Sequence, residues 1–244
     1  KGRILAIFQQ SRYAPYFRQV RKVIDSGVLG RIVQISINFN GFSRRWDWQT
    51  LQEYNGGNLL NTGPHPLDQA LQLFGTDTMP EITCIMDRAN TFGDAEDYVK
   101  LILRGKDRPV IDLEISSCCA YPCFTYHVQG VYGGLKGTME HIQWKYYKPE
   151  EAPEQKLQRE PLHHADGTPA YCSEALKWYE ETWEVPDEEK DLFMAMSRAF
   201  YHMLYRTLTE HVPLEITPQQ VRQQIAVIEE CHRQNPLSPI QIDS

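Results

Sequence analysis

The sequence predicts an α+β fold, a largely antiparallel open sheet with helices packed on one face, and three observations lead there. Strand candidates follow one another at Ile82–Met86, Tyr98–Leu103, Val110–Ser116, Phe124–Tyr132 and Leu135–Tyr147, punctuated by Gly, Pro and Asp. The links between them are short, which favours antiparallel pairing over crossovers. Ile111, Leu113 and Ile115 alternate with Asp112, Glu114 and Ser116, so one sheet face is buried and the other polar. Helical periodicity brackets this block on both sides, which places helices in a second layer.

Taken in order, Ile4-Leu5-Ala6-Ile7-Phe8 is a short apolar run that reads as a buried strand. A helix follows from about Ala14, with Tyr16, Val20, Val23 and Ile24 on one face and Gly27 as its C-terminal cap. Arg31 to Asn40 is strand-like, because Ile35, Ile37 and Phe39 alternate with Ser36, Asn38 and Asn40. Residues 41–55 form a polar loop rich in aromatics and arginine. A helix then runs from the Gly56-Gly57 pair to Leu73 or Phe74, and Gly75 ends it. Pro64 and Pro66 each remove a backbone donor, so a kink or two abutting short helices is expected. Gly130, Gly133, Gly134 and Gly137 read as hairpin-turn glycines. Residues 148–170, rich in Pro, Glu and His, form an excursion, and His163 and His164 are solvated there. A helix fits Glu188 to Glu210, with Leu192, Ala195, Met196, Ala199, Met203 and Leu204 inward. Thr217-Pro218-Gln219-Gln220 supplies an N-cap, a proline at N1 and a capping-box glutamine. That last helix carries Val221, Ile225 and Ile228 inward.

The chain of 244 residues can bury a substantial core and is read as one substrate-binding and oligomerisation domain over 1–244. Its formal net charge of −7 argues against nucleic acid, whose binders present a basic face. No apolar run approaches the roughly 20 residues that span a bilayer, and no secretory leader is visible, so a cytoplasmic protein is expected. Cys84, Cys118, Cys119, Cys123, Cys172 and Cys231 contain no CxxC pair and read as free thiols rather than metal ligands. The patterns GxGxxG, GxxxxGK[ST], GxSxG and HExxH are all absent.

The residues that carry chemistry lie in Gly56-Gly57-Asn58-Leu59-Leu60-Asn61-Thr62-Gly63-Pro64-His65-Pro66-Leu67-Asp68. Helical spacing puts Asn61, His65 and Asp68 on one stripe, extended by Gln72, while Leu60, Leu67, Ala70, Leu71 and Phe74 face the core. His65, with an ordinary pKa of about 6.5, suits proton exchange with an alcohol or carbonyl; a solvated or structural histidine is the plainer reading. Asn61 sits one turn earlier and could orient a hydroxyl or the imidazole. Asp68 could fix the histidine tautomer or bond loop backbone, and the second is favoured. The preceding Phe42-Ser43-Arg44-Arg45-Trp46-Asp47-Trp48 sets guanidinium forks beside indole faces, a combination suited to a polyol or carboxylate; two buried indoles pinning the loop fit as well. Tyr13, with Arg12, anchors the first helix, and a site role for it is weaker.

These pieces resemble, in order, the C-terminal domain of the glucose–fructose oxidoreductase / inositol dehydrogenase (Gfo/Idh/MocA) family. Gln10-Ser11-Arg12-Tyr13-Ala14-Pro15 is similar to its Arg-aromatic-x-Pro start. Ser26-Gly27-Val28-Leu29-Gly30-Arg31-Ile32 is similar to its turn into a strand. Gly56 to Asp68 is similar to its GG-x-L-x-(D/N)-x-G-x-H-x-x-D signature. The resemblance implies an NAD(P)-dependent oxidoreductase acting on a sugar, polyol or cyclitol hydroxyl. NAD or NADP would sit on an N-terminal Rossmann domain that this chain lacks, so no cofactor is expected for the chain alone, which is then inactive by itself. By the same resemblance His65 is the catalytic histidine, and Asn61 stands where many members carry aspartate. Arg44, Arg45, Trp46, Trp48 and Tyr13 would bind substrate, and Asp68 would be structural. Pairing through the open sheet face implies a homodimer or tetramer. A stand-alone binding or assembly module and NAD-assisted glycoside hydrolysis are the alternative readings.

Overall fold

The computed structural model describes residues 3–238. Eight strands form one sheet. In chain order β1 is Ile32–Asn40, β2 Glu81–Asp87, β3 Tyr98–Arg104, β4 Val110–Ser116, β5 Tyr126–Gly130, β6 Gly133–Gly137 and β7 His141–Tyr146. The two-residue strands β8 (Leu162–His163) and β9 (Pro169–Ala170) pair only with each other, and β10 is Tyr179–Glu184. The sheet order is β10-β7-β6-β5-β1-β4-β3-β2. Every neighbouring pair is antiparallel except the central β1 and β4, which run parallel from Gln34↔Val110 to Asn40↔Ser116. The predicted α+β class and largely antiparallel sheet therefore hold.

The alternation read in the sequence sets the two faces. Ile35, Ile37, Leu101, Leu103, Ile111, Leu113, Val128 and Ile142 point into one core, each 1% exposed or less. Helices α1 (Pro15–Asp25), α3 (Pro64–Phe74) and α5 (Pro218–Gln234) cover that face. The long helix α4 (Leu192–Thr209) lies farther out, on the turn Gln10–Tyr13 and on α1. It closes a smaller cluster of Phe200, Met203 and Ile216. The opposite sheet face carries Ser36, Asn38, Lys100, Asp112 and Glu114, with Lys100 bridging the two carboxylates at 2.6 and 3.2 Å.

Several expectations change. Ile4–Phe8 is not a strand; Ile4 and Leu5 stand exposed, and Phe8 packs on Phe200 and Tyr201 of α4 instead of on a neighbouring strand. The single strand expected at Leu135–Tyr147 is two, because the chain turns at residues 138–140, where Thr138 N–H bonds His141 O at 2.8 Å. Gly133, Gly134 and Gly137 lie inside β6 rather than in a turn. Side chains at Gly133 and Gly137 would strike the backbone of β7. In α5 the inward position is Gln224, 1% exposed, while Ile225 is 39% exposed. The Gln224 amide turns inward because it donates to Pro64 O at 2.6 Å.

Two features position the site. The glycine-pair segment forms two abutting helices, the four-residue α2 (Asn58–Asn61) and then α3. Gly63 N–H closes α2 on Asn58 O at 2.7 Å, and any Cβ at Gly63 would collide with the Leu59 carbonyl. Pro64, lacking an N–H, restarts the chain at the first position of α3. The edge strand β2 is covered by the end of α5. Gln234 and Asn235 accept from Cys84 and Met86 N–H at 2.8 and 3.1 Å and donate to Ile82 O and Cys84 O at 2.9 and 3.0 Å.

Candidate functional site

The start of α3 is fixed from two sides. Pro64 O accepts from Gln9 Nε2 at 2.5 Å and from Gln224 Nε2 at 2.6 Å. His65 follows, half-buried, with Nδ1 cut off from solvent and without a hydrogen-bond partner among the described residues. Burial pushes its pKa below the ordinary histidine value, and the nearby Asp68 carboxylate partly opposes that shift. A neutral imidazole is what proton acceptance needs.

Asp68, one turn on, does not lie on a solvated stripe; it is 1% exposed. Arg12 grips it with a fork, Nε to Oδ2 at 2.9 Å and an Nη to Oδ1 at 2.5 Å. The expectation that Asp68 bonds loop backbone is thus corrected, since the guanidinium takes both oxygens. Arg12 also donates to Gln220 Oε1 at 2.7 Å and Glu215 O at 3.1 Å, which ties the histidine helix to the capping box of α5. Tyr13 donates its hydroxyl to Glu215 Oε2 at 2.9 Å. Burial and that carboxylate hold its pKa above the ordinary tyrosine value, so it stays a neutral phenol with its proton committed.

The arginine–tryptophan loop meets residues 56–61 at Gln49, whose carbonyl accepts Gly57 N–H at 2.9 Å. Asp47 accepts Gln49 N–H at 2.9 Å and opens a short turn at Trp48–Thr50. Arg45 bonds Asp47 at 2.8–3.0 Å and also the Gln49 side chain. Gln49 Oε1 in turn accepts from Asn61 Nδ2 at 3.4 Å. Arg45 and Asn61 are therefore brought together, with Asn61 at the exposed end of α2. Arg44 is exposed and has no hydrogen bond among the described residues. Trp46 and Trp48 are 79% and 60% exposed, so neither is a buried pin for the loop.

Sequence reasoning missed the acidic segment that holds both pieces. Asp94 Oδ1 accepts Gln52 N–H at 2.7 Å, and the N–H groups of Asp94 and Ala95 bond Thr50 O at 3.1 and 3.0 Å. Glu96 O accepts Asn58 N–H at 2.9 Å, and Glu96 Oε1 accepts Leu59 N–H at 2.9 Å. Asp97 gathers the N–H groups of Ala89, Asn90 and Thr91 at 2.8, 2.7 and 2.5 Å. The only available signal was the run Asp94-Ala95-Glu96-Asp97 ahead of a strand, which by itself names no partner. Among the described residues no group of three or more His, Cys, Asp or Glu is placed to hold a metal ion. His163 and His164 are exposed, and the six cysteines are free. No helix among the described residues is long and apolar enough to cross a membrane.

Known proteins share the sequence profile and the fold. Residues 17–136 match the sequence profile of the GFO/IDH/MocA C-terminal domain. An uncharacterised oxidoreductase of Schizosaccharomyces pombe is 25% identical over 193 residues, 76% of this chain and 49% of that protein. The uncharacterised oxidoreductase YdgJ of Escherichia coli is 29% identical over 112 residues, 45% of this chain and 32% of that protein. The chain thus spans at most about half, 49%, of these curated relatives. An oxidoreductase from Bacillus cereus shares the fold with a TM-score of 0.70 at 18% identity, covering 99% of this chain and 67% of that one. The WlbA dehydrogenase from Bordetella pertussis, solved with NADH and UDP-GlcNAcA, shares it with a TM-score of 0.62 at 17% identity, covering 98% of this chain and 64% of that one. Over residues 17–136 this chain belongs to the GFO/IDH/MocA family, as its C-terminal domain.

Proposed function

We propose that this chain is the substrate domain of an NAD(P)-dependent oxidoreductase that oxidises a hydroxyl of a sugar, polyol or cyclitol. The observation that carries the reading is His65, whose half-buried imidazole at the start of α3 is kept neutral by burial. The relatives named as oxidoreductases, and the NADH and UDP-GlcNAcA bound to the Bordetella pertussis neighbour, point the same way.

The residues here fit one part of a nicotinamide reaction. Bound beside this domain, the nicotinamide supplies two-electron acceptance; the dinucleotide itself belongs on a Rossmann domain outside this chain. Within the chain, His65 receives the hydroxyl proton as the carbon is oxidised. Asn61 offers an amide to orient that hydroxyl but carries no charge and takes no proton. Asp68 acts at one remove: locked by Arg12, it fixes the first turns of α3. Arg44 is an exposed guanidinium with no hydrogen bond among the described residues, and Trp46 and Trp48 are open faces for C–H surfaces of a sugar. Tyr13, its hydroxyl committed to Glu215, packs against the Phe200, Met203 and Ile216 cluster beside Arg12. The same reading assigns a homodimer or tetramer through the open sheet face.

The test is a screen of sugars, polyols and cyclitols with NAD and NADP, using the protein that includes its dinucleotide domain. Reduced nicotinamide should form with wild type and fall sharply in His65→Gln with the fold intact. If glycosides are cleaved with no net reduced nicotinamide, the dehydrogenase reading fails in favour of redox-assisted hydrolysis. If no ligand or activity depends on His65, the domain is a binding or assembly module.

A further inference from the structure

Segment 92–97 touches both the arginine–tryptophan loop and the start of α2, and Glu96 is its pivot. On one side of Glu96, Phe92 N–H bonds Arg45 O at 2.7 Å, and Thr50 Oγ1 donates to Phe92 O at 2.8 Å. The Asp94 bonds to Gln52 and Thr50 complete the hold on the arginine–tryptophan loop. On the other side Glu96 receives Asn58 N–H through its carbonyl and Leu59 N–H through its carboxylate. These are the first two residues after the glycine pair, and α2 ends at Asn61. Gly57 is what lets the carboxylate come so close. Its φ is +107°, and a Cβ there would collide with both carboxylate oxygens.

Glu96 is 3% exposed, yet no basic side chain pairs with it among the described residues. Beside it lies a hollow of about 330 Å³, lined also by Gln52, Gly56, Leu60 and His232. His232 comes from α5, and its buried Nε2 has no hydrogen-bond partner among the described residues. The hollow gives the carboxyl somewhere to turn when it lets go of Leu59. We propose that Glu96 is the positioning residue of this site, joining the substrate loop to the His65 arm and changing their fit according to whether its carboxyl carries a proton.

Burial pushes the Glu96 pKa up to about 7; the Leu59 N–H opposes the shift and Asp97 adds to it. The charged and titratable groups around it are few. Asp94 and Asp97 lie on its own segment, and Arg88 reaches the Asp94 carbonyl at 3.3 Å. From α5, His232 is held below the ordinary histidine pKa by burial. As the carboxylate, Glu96 makes a strong acceptor for Leu59 N–H; as the acid, it makes a weaker one and can donate into the hollow. The change falls in the neutral range. What the arm does rests on the proposed oxidoreductase reading; the clasp itself does not.

The experiment is a pH titration of the 244-residue chain by NMR, following the Glu96 carboxyl carbon and the amides of Gln52, Leu59 and Asn61. The Glu96 carbon should titrate with a midpoint near 7, and the three amides should move with it. Glu96→Gln keeps an acceptor but no proton to lose, and should flatten all three; His232→Gln should leave them. Should the glutamine variant fail to fold, the wild-type carboxyl carbon still decides. A carboxyl midpoint near the ordinary glutamate value overturns the proposal. So does a response confined to Leu59, or a transition that disappears in His232→Gln. None of these signals needs a substrate, so a failure to find redox activity leaves the proposal standing or falling by itself.

Discussion

At His65, replacing the imidazole removes no Nδ1 hydrogen bond among the described residues. His65→Gln is expected to lower kcat/KM by roughly 10²–10⁴, the usual span for a lost general base, with little change in melting temperature. The pH profile follows from the direction of the shift. The folded pKa is lowered, so the rate falls only below the ordinary histidine range as acid protonates the ring. The same group destabilises the fold in acid, because the unfolded chain binds the proton first. Glu96 works in the opposite sense. Its folded pKa is raised from 4.5 to about 7, so its contribution is fully present below 4.5 and is lost as pH rises through 7. Glu96→Gln is therefore expected to unfold at a higher temperature than wild type at pH ~8 and at no higher temperature at pH ~5, as thermal melts at the two pH values would show. Asp68 differs from both, since its partner is a buried guanidinium. Asp68→Ala strands Arg12 and should cost ~3–5 kcal/mol in denaturant unfolding, with most of the loss recovered when Arg12 is replaced by Met as well. If the double variant is no more stable than the single one, the fork is not what holds α3.

Among the elements, the break between α2 and α3 is what aims Asn61 and His65. Gly63→Ala would press a methyl on the Leu59 carbonyl and should cost ~1–3 kcal/mol by chemical denaturation, with activity falling alongside. Most elements were legible because their signal is local. The capping box at Thr217, the prolines at Pro64 and Pro66, and the alternation through β1 and β4 each mark a boundary or a face without outside help. What was not legible depends on distant partners. Strand β10, Tyr-Glu-Glu-Thr-Trp-Glu, is polar and becomes a strand by pairing along β7 from Tyr179↔Tyr146 to Glu184↔His141. Ile225 looked like core by spacing, yet the helix turns Gln224 inward to reach Pro64. Helical spacing singled out His65, Asn61 and Asp68 as candidates, but the break between α2 and α3 and the burial of Asp68 take them off one stripe. Glu96 was not legible, because its meaning lies in an amide 37 residues away. The Asp68–Arg12 fork, between residues 56 apart, was hidden for the same reason.

For the whole molecule, one sheet divides the protein into a helical side that builds the site and a polar side left open. Its charged and amide residues, Gln34, Ser36, Lys100, Asp112 and Glu114, are a poor match for a dry core and a good one for a wet, hydrogen-bonded subunit interface. Sedimentation should therefore find a dimer or tetramer, and Ser36→Arg at the centre of that face should shift it to monomer with the melting temperature little changed. A monomer in wild type would remove that part of the account. The central claim is that His65 accepts a proton while a nicotinamide accepts electrons. The most direct measurement is the absorbance of reduced nicotinamide formed by the protein with its dinucleotide domain, wild type against His65→Gln, over a panel of sugars, polyols and cyclitols with NAD and NADP. The account predicts reduced nicotinamide from at least one pairing, and a loss of roughly 10²-fold or more in the variant. Equal rates in the two proteins, or no reduced nicotinamide from any pairing, would contradict it.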